Sequence, residues 1–515
     1  MRLFLFAIGG TGARVVRSLT MMISAGIEGM DSSTEIVPII IDYDLTNGDK
    51  DRALKALHSY CSLHGQLYPD SMRGTNYDHH FFMTRMTPLT AVGAAPMGGT
   101  PMLDFEFNFH PTGGGQKFSE YMNANAMNII PDVRMTGDLM HALYDDSDAQ
   151  SRSAELELDM IKGFKGNPNI GSVVFHELRS RPEFLRFAGA FNAAMGDKVF
   201  VVSSIFGGTG ASGLPEIVNA IRTSNLVNLQ NAVIGAALVM PYFGLQPYDP
   251  STGDTGAIDA ASFNAKARAA LLHYAQNNGL NSRVNSLYYV GDNNRDLYKY
   301  SEGESRQKNE SHVVEFVAAS AIVDFLVNRA NTRITDHDPY EFGIADSKVE
   351  TKIELPDFFP SSQSLMMDNL SAFAIAMKYY RDVVCGDRNK VSSNTAYYKQ
   401  GRFDLAGKLR HGVYQELDTY LLDEDWGFYR WLDELASGAH SHKLAPFQMV
   451  KTKEMKEVLS HKTITSASKL GQNPIKDDIL SEEINKKSQN LPVYDASSFL
   501  KVLHDVATEK YEKVK

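Results

Sequence analysis

The sequence has little cysteine, no long hydrophobic run and no excess of positive charge. Its two cysteines, Cys61 and Cys385, are too few for a disulfide framework, so we expect a reducing, cytoplasmic location. No apolar run approaches the roughly 20 residues of a membrane-spanning helix, so we expect no membrane segment. The 51 Lys and Arg residues face 62 Asp and Glu residues, which gives a net charge of −11. This acidic balance gives no clear nucleic-acid signal, because nucleic-acid binding needs a basic surface.

Several motifs that carry chemistry are missing as well. The chain has no Gly-x-x-x-x-Gly-Lys-Ser/Thr run, which argues against a P-loop nucleotidase. The cluster Asp78, His79 and His80 and the pair His440 and His442 have no third ligand at metal-binding spacing. We therefore predict no metal site built from these histidines.

Two copies of one short glycine pattern are present. IGGTGARVV begins at Ile8 and FGGTGASG begins at Phe206, and each follows a strand-like run and opens into a helix-like run. Glycine lets a ligand approach the backbone, and the N–H groups and dipole of the following helix favour an anion. Two such turns in one chain predict a single nucleotide whose phosphates are held from two sides.

The rest of the N-terminal part alternates in the same way. Short apolar runs typical of buried strands alternate with helical patterns, and the helix-like stretch 311–327 is apolar on most faces. This alternation predicts an α/β fold with a doubly wound, mainly parallel sheet, whose ligands lie at the carboxyl ends of the strands.

Composition also predicts two parts of the 515-residue chain. Residues 1–330 are expected to form a nucleotide-binding domain, with an insertion at about 47–180 and a central helix at about 311–327. Residues 331–515 carry mostly helical patterns and few strand patterns, so we expect a mostly helical C-terminal region.

The order of these pieces resembles the nucleotide-binding domain of the tubulin/FtsZ superfamily, and among its members the divergent bacterial tubulin-like proteins. The superfamily's signature is GGGTG(S/T)G after the fourth strand, and residues 206–213 resemble it. Phe206 stands in place of the first glycine and Ala211 in place of the Ser or Thr, while Ser212 supplies a hydroxyl one position later. The resemblance covers roughly residues 1–330.

The resemblance implies GTP or GDP with Mg²⁺ as cofactors, and it implies roles for particular residues. The two glycine turns would hold the phosphates, the acidic pair after the second strand would lie near Mg²⁺, and an aromatic residue on the central helix would stack on guanine. The implied cofactor-binding residues are Gly9, Gly10, Thr11, Gly12, Asp42, Asp44, Gly207, Gly208, Thr209, Gly210, Ala211, Ser212, Asp292, Asn293, Asn309, Phe316 and Ser320.

The resemblance further implies a GTPase that assembles head to tail into a filament. Tubulin-type proteins hydrolyse GTP at a subunit junction, where acidic residues of one subunit orient water at the nucleotide of the next. The candidates here are Asp336, Asp338 and Asp357, with Glu354 beside them, although no clean copy of the family's acidic loop is present. Self-association into a homopolymer is the implied partnership.

Two other functions remain open from the residues alone. GGTGARV and Asp42 also fit an NAD(P)-dependent Rossmann enzyme, in which the acid binds ribose. A nucleotide-binding scaffold without hydrolysis is the other alternative. For single residues, Phe316 is also explained as a core aromatic, and Thr11 and Thr209 as helix caps.

Overall fold

The computed structural model describes only part of the chain. The described residues are 1–27, 30, 34–68, 80–92, 104–107, 117–122, 155–247, 249, 251, 258, 262–276, 279–292, 296–301, 303–329, 339–344, 363–385, 397, 403, 405, 412–437 and 477–514. The predicted catalytic acids Asp336, Asp338 and Asp357, the neighbouring Glu354 and the implied cofactor-binding residue Asn293 lie outside the described residues.

A seven-stranded sheet forms the centre of the molecule, in the order β3-β2-β1-β4-β5-β7-β9, and every neighbouring pair is parallel. The short strands β6 and β8 pair separately, also in parallel. The predicted α/β class with a parallel sheet is therefore confirmed. The strands are β1 Arg2–Ile8, β2 Glu35–Ile41, β3 Arg85–Met86, β4 Lys198–Ser204, β5 Val233–Val239, β6 Phe243–Leu245, β7 Ser286–Asp292, β8 Asp296–Tyr298 and β9 Tyr340–Ile344.

Helices connect the strands and continue into the C-terminal part. Those in the described residues are α1 Gly9–Ile23, α2 Gly48–Leu67, α3 Pro168–Phe175, α4 Pro182–Ala190, α5 Gly208–Arg222, α6 Val227–Gln230, α7 Phe263–Ala275, α8 Leu280–Arg283, α9 Val313–Asp324, α10 Gln363–Tyr379, α11 Val413–Leu422, α12 Phe428–Ser437, α13 Asp477–Lys487 and α14 Ala496–Val514. Both α1 and α5 begin within the glycine turns, at Gly9 and Gly208.

The central strands are apolar along their whole length because the sheet is covered on both faces. β1 is buried from Leu3 to Ile8, and β4 is buried throughout. Strands buried on both faces lose the alternating pattern of half-exposed strands, which is why each reads as one continuous apolar run. β1 and β4 are neighbours, with Leu5 opposite both Pro38 of β2 and Phe200 of β4.

The strand order reverses direction between β1 and β4. From β1 the chain first runs outward through β2 and β3, and β4 then returns to the other side of β1. Crevices for ligands form at the carboxyl ends of strands at such a reversal. The two glycine turns leave the carboxyl ends of these two strands, so the topology places them at one crevice.

The predicted central helix is α9, which is buried along its full length, from Val313 to Asp324. It packs against α1, β5 and β7. The edge strand β9, Tyr340–Ile344, lies beyond the predicted boundary at residue 330 and extends the same sheet. Among the described residues, no helix combines the length and apolarity that crossing a bilayer requires.

Candidate functional site

The two glycine turns lie in contact. A β carbon on Gly9 would stand 3.7 Å from the backbone nitrogen of Gly210 and 3.7 Å from Cβ of Thr209. Gly9 has a φ of +70°, in the left-handed region that side chains disfavour. The convergence expected from the repeated pattern is thus present in the fold.

Both helices that follow these turns have N-termini without a side-chain cap. Neither α1 nor α5 has a side chain that caps its first N–H groups, and neither has an acidic residue in its first turn. The first N–H groups of a helix lack partners within the helix, and the helix dipole places partial positive charge there. Two such ends at one cleft create a site for an anion with several oxygens.

At three of the glycines, the structure leaves no room for a side chain. A β carbon on Gly12 would stand 2.6 Å from the carbonyl carbon of Ala7 and 3.2 Å from the carbonyl oxygen of Val202. A β carbon on Gly210 would overlap the carbonyl oxygen of Ser204. Gly12 and Gly210 therefore seat the two helices on β1 and β4, while Gly208 gives the same close approach to the segment around Phe164.

Ten of the predicted cofactor-binding residues line one cleft between these helix ends: Gly9, Gly10, Thr11, Asp42, Asp44, Gly207, Gly208, Thr209, Gly210 and Asn309. The cleft has further lining residues that the sequence analysis did not assign. They are Arg14, Asn47, Gly163, Phe164, Lys165, Gly166, Ser204, Phe206, Phe243, Leu245, Ile258, Phe263, Lys299, Ser301 and Gln307.

Asp42 and Asp44 form an acidic pair at the carboxyl end of β2. The Asp44 amide donates to Oδ1 of Asp42 at 3.1 Å, and Oδ2 of Asp44 accepts from the Glu304 amide at 2.5 Å. Burial and the neighbouring Asp44 carboxylate raise the pKa of Asp42 to about 7. The raised pKa marks a place in the cleft where negative charge is poorly compensated and a cation would be stabilised.

This donor set fits Mg²⁺ bound together with phosphate. Mg²⁺ in nucleotide sites commonly takes one or two carboxylates, while phosphate oxygens and water complete its octahedron. The described residues contain no group of three or more His, Cys, Asp or Glu side chains placed to hold a metal by themselves. Asp42 and Asp44 are therefore the residues that would hold Mg²⁺ here, with the phosphates as co-ligands.

Arg14 on α1 organises the floor of the cleft, and the sequence analysis missed it. Its guanidinium donates to Asp49 at 2.6 Å, to Glu315 at 2.5 Å and to the Tyr242 hydroxyl at 2.7 Å. A longer bond of 3.2 Å reaches the Thr11 hydroxyl in the first glycine turn. Because both carboxylates are buried, Arg14 supplies the charge that lets them lie beneath the site.

Asn47, Gln307 and Asn309 form a polar wall of the cleft and are held by hydrogen bonds, one set of which reaches Asp49. Asn47 caps α2 through its side-chain oxygen and donates from Nδ2 to Gln307 at 3.0 Å. The backbone N–H of Asn309 donates to Oδ1 of Asp49 at 2.8 Å, and its side-chain Nδ2 donates to Oδ2 of Asp49 at 3.1 Å. Gln307 and Asn309 are thereby fixed in position beside the first glycine turn.

An aromatic wall faces this polar wall. The rings of Phe206 and Phe243 are 5.5 Å apart, those of Phe206 and Phe263 are 5.0 Å apart, and those of Phe243 and Phe263 are 5.9 Å apart. Leu245 and Ile258 extend the apolar surface. Phe206, which stands in place of the first glycine of the superfamily signature, thus belongs to a cluster of tilted and edge-to-face rings that gives the cleft an apolar side.

Several predicted residues lie away from the cleft. Phe316 is completely buried in α9, with its ring centroid 6.2 Å from that of Trp431, and Ser320 donates to the Phe316 carbonyl. In this structure Phe316 is a core aromatic packed against Trp431 and does not line the cleft. Asp292 ends β7 beside the edge strand β9 and does not line the cleft.

Three residues of the glycine turns point into the protein behind the cleft. Gly12 contacts β1, the carbonyl of Ala211 accepts from the Tyr274 hydroxyl at 2.5 Å, and the Ser212 hydroxyl donates to the Gly208 carbonyl at 2.8 Å. The Ser212 hydroxyl, which the resemblance made a phosphate ligand, is thus bonded within its own helix.

The sequence matches no protein-family model, and it matches no curated protein. The function must therefore be inferred from the residues of the cleft.

Proposed function

We propose that this chain binds a guanine nucleoside triphosphate with Mg²⁺ in the cleft, as a divergent relative of the tubulin/FtsZ superfamily. The observation that carries the proposal is the convergence of two uncapped helix N-termini, from Gly9 and Gly208, at the β1/β4 reversal. A single helix end can accommodate one phosphate, whereas two adjacent ends suit a linear chain of phosphates. The choice of guanine comes from the sequence resemblance.

The lining residues divide into parts that suit such a ligand. The N–H groups of residues 9–11 and 207–210 would bind phosphate oxygens, and Asp42 and Asp44 would hold Mg²⁺ against them. The aromatic wall would cover one face of the nucleoside, while Gln307 and Asn309 offer amide groups to its polar atoms. This division follows the chemistry of each wall.

Hydrolysis would consist of attack by water on the terminal phosphate, with positioning and charge stabilisation as the main contributions of the protein. We propose that a second copy of the chain completes the site through Asp336, Asp338 or Asp357 in a head-to-tail filament. A repeated contact of this kind between unlike surfaces gives an open polymer. A cytoplasmic location belongs to the same proposal.

One structural observation also favours the NAD(P) alternative. The order β3-β2-β1-β4-β5 and an acid after β2 are shared with dinucleotide-binding folds. In those folds a single glycine turn holds the pyrophosphate. The second turn at 207–210, in contact with the first, supports the nucleoside triphosphate instead.

Titration of the purified protein with GTP, ATP, NAD⁺ and NADP⁺, with and without Mg²⁺, tests the proposal. We expect Mg²⁺-dependent binding of GTP at least tenfold tighter than that of the other three ligands. Preferential binding of a dinucleotide would overturn the proposal, and so would an absence of binding to all four.

A charged variant separates phosphate binding from folding. Thr209 lies in the first turn of α5 and lines the cleft, so Thr209→Asp would place a carboxylate where we propose a phosphate. An acid in this turn should stabilise the helix by about 0.5 kcal/mol and abolish GTP binding. Thr209→Val is the uncharged control and should retain binding within about threefold.

Turnover measured at increasing protein concentration tests the assembly. Phosphate release per subunit should rise steeply with concentration if neighbouring subunits complete the site, and sedimentation should show polymer at the same concentrations. Binding of GTP with no release at any concentration would favour the non-hydrolysing scaffold.

A further inference from the structure

The segment Gly163–Gly166 forms a third wall of the cleft. All four of its residues, Gly-Phe-Lys-Gly, line the cleft, and they belong to the predicted insertion at 47–180. Gly163, Lys165 and Gly166 have φ values of 75°, 44° and 78°. A lysine in the left-handed region is uncommon, and such backbone strain persists only where the surroundings hold it.

This turn spans the cleft from the acidic pair to the second glycine turn. A β carbon on Gly163 would stand 3.9 Å from Cβ of Asp44. At the other end, a β carbon on Gly208 would stand 3.2 Å from the Gly166 nitrogen. The ring of Phe164 packs on Tyr43, with 4.9 Å between their centroids. The backbone that carries Lys165 is therefore fixed directly over the start of α5.

Positive charge gathers at this turn although the chain as a whole carries −11. Lys165 lines the cleft, and Nζ of Lys266 lies 3.0 Å from where a β carbon on Gly166 would stand. A cationic turn above a helix N-terminus strengthens the attraction for an anion at that end of the cleft.

The other basic residues of the cleft, Arg14 and Lys299, lie in other parts of it. Arg14 already faces the carboxylates of Asp49 and Glu315. Lys299 follows Tyr298, whose register partner is Leu245 of the aromatic wall, so it belongs to the nucleoside side. Among the cationic side chains that line the cleft in the described part of the chain, Lys165 is the one carried by a turn seated on α5.

Building on the proposed function, we propose that Nζ of Lys165 contacts the terminal phosphate of the bound nucleotide. The 163–166 turn then distinguishes a nucleoside triphosphate from a diphosphate. The triphosphate carries an additional negative charge at its end, and a lysine beside that charge binds it through charge-assisted hydrogen bonds. The diphosphate lacks this group and gains little from Lys165.

Affinities of the wild type and Lys165→Gln for the non-hydrolysable imido analogue of GTP and for GDP, both with Mg²⁺, test this inference. We expect Lys165→Gln to weaken analogue binding by about tenfold to a hundredfold and GDP binding by less than threefold. Lys165→Arg, which keeps the charge, should recover most of the lost affinity.

Lys55→Gln is the matched control. Lys55 lies exposed on α2 and pairs with Asp51, so this variant changes the net charge by the same amount away from the cleft. It should leave both affinities within twofold. If the wild type binds both nucleotides and Lys165→Gln weakens them equally or not at all, the role of Lys165 is overturned while the proposed function stands. If the wild type binds neither, the proposed function itself fails.

Discussion

Arg17 and Glu434 form a buried ion pair, 2.8 Å from Nη1 to Oε2, that joins α1 to the C-terminal helix α12. Arg52 on α2 pairs with the other oxygen of Glu434 and also donates to the Asn309 carbonyl at 2.8 Å. Asn309 lines the cleft, so a short chain of contacts connects α12 to the candidate site. The helices that follow the sheet are thereby attached to the wall of the cleft.

Removing this charge should destabilise the protein strongly. Glu434→Gln removes the carboxylate paired with Arg17 and leaves Arg52 with its longer, 3.7 Å pair to the partly exposed Asp425, so we expect the free energy of unfolding at pH 7 to fall by about 3–5 kcal/mol. Urea denaturation measures the change. Glu310→Gln is the control, because Glu310 lies at the surface near Arg430 and its loss should cost less than about 1 kcal/mol.

The pH dependence of that difference follows from the pKa of Glu434. Burial alone would raise it, but Arg17 and Arg52 outweigh burial and hold the pKa at about 2, below its ordinary value of 4.5. A depressed carboxyl pKa contributes stability above the unfolded pKa and loses it as the pH falls toward the folded pKa. The gap between wild type and Glu434→Gln should shrink from about pH 4.5 to pH 2, and a constant gap would contradict this.

Asp42→Asn should raise the free energy of unfolding, whereas Glu434→Gln lowers it. The pKa of Asp42 is raised to about 7 from 3.8, so the folded state binds its proton more tightly than the unfolded state. The carboxylate therefore costs stability increasingly as the pH rises from about 4 to 7. Without ligand, Asp42→Asn should be more stable than wild type by roughly 4 kcal/mol at pH 8.5 and nearly equal to it at pH 4.

The same variant should bind nucleotide less well when Mg²⁺ is present, since it removes a proposed Mg²⁺ ligand. Thermal unfolding at the two pH values and nucleotide titration give the two readouts. Asp51→Asn, in the first turn of α2, should leave nucleotide binding unchanged and lower the stability by only about 0.5–1 kcal/mol. Greater stability of wild-type protein at pH 8.5 would contradict the prediction.

Gly12→Ala tests the close approach of α1 to the sheet. The added methyl would stand 2.6 Å from the Ala7 carbonyl carbon, so the backbone must shift, at a cost of about 1–3 kcal/mol. Gly65→Ala is the matched control, because nothing lies within 4 Å of its β position. That variant should be more stable by about 0.5–1 kcal/mol, since alanine favours a helix. Chemical denaturation measures both stabilities. A Gly12→Ala variant as stable as Gly65→Ala would contradict the close approach of α1 to the sheet.

Phe316→Leu asks whether the central helix reads the base. Phe316 is buried against Trp431, so we expect stability to fall by about 1 kcal/mol while nucleotide affinity stays within twofold. Phe243→Leu, in the aromatic wall, should instead weaken nucleotide binding about tenfold through lost stacking. A changed preference between GTP and ATP in Phe316→Leu would restore the expectation from the superfamily resemblance.

The sequence by itself determined the class of fold and the glycine-turn end of the candidate site. The apolar runs at β1, β2, β4 and β5 indicate strands that are covered on both faces. The glycines that follow β1 and β4 indicate tight turns, whose backbone conformation and close packing favour glycine. Asp42 and Asp44 were predictable because they directly follow a buried strand. These features depend on residues adjacent in the chain, so a local pattern records them.

Only the tertiary structure decided which distant residues share the cleft. Arg14, the aromatic wall and the turn at Lys165 come from helices α1 and α7, strand β6, the loop before α5 and an insertion, which share no sequence pattern. Phe316 was likewise ambiguous, because a helix buried on all sides carries no periodicity that tells a core-facing ring from a ligand-facing one. A local hydrophobic pattern in the sequence indicates that a side chain is buried. Which residues it contacts depends on how the strands and the connections between them pack together.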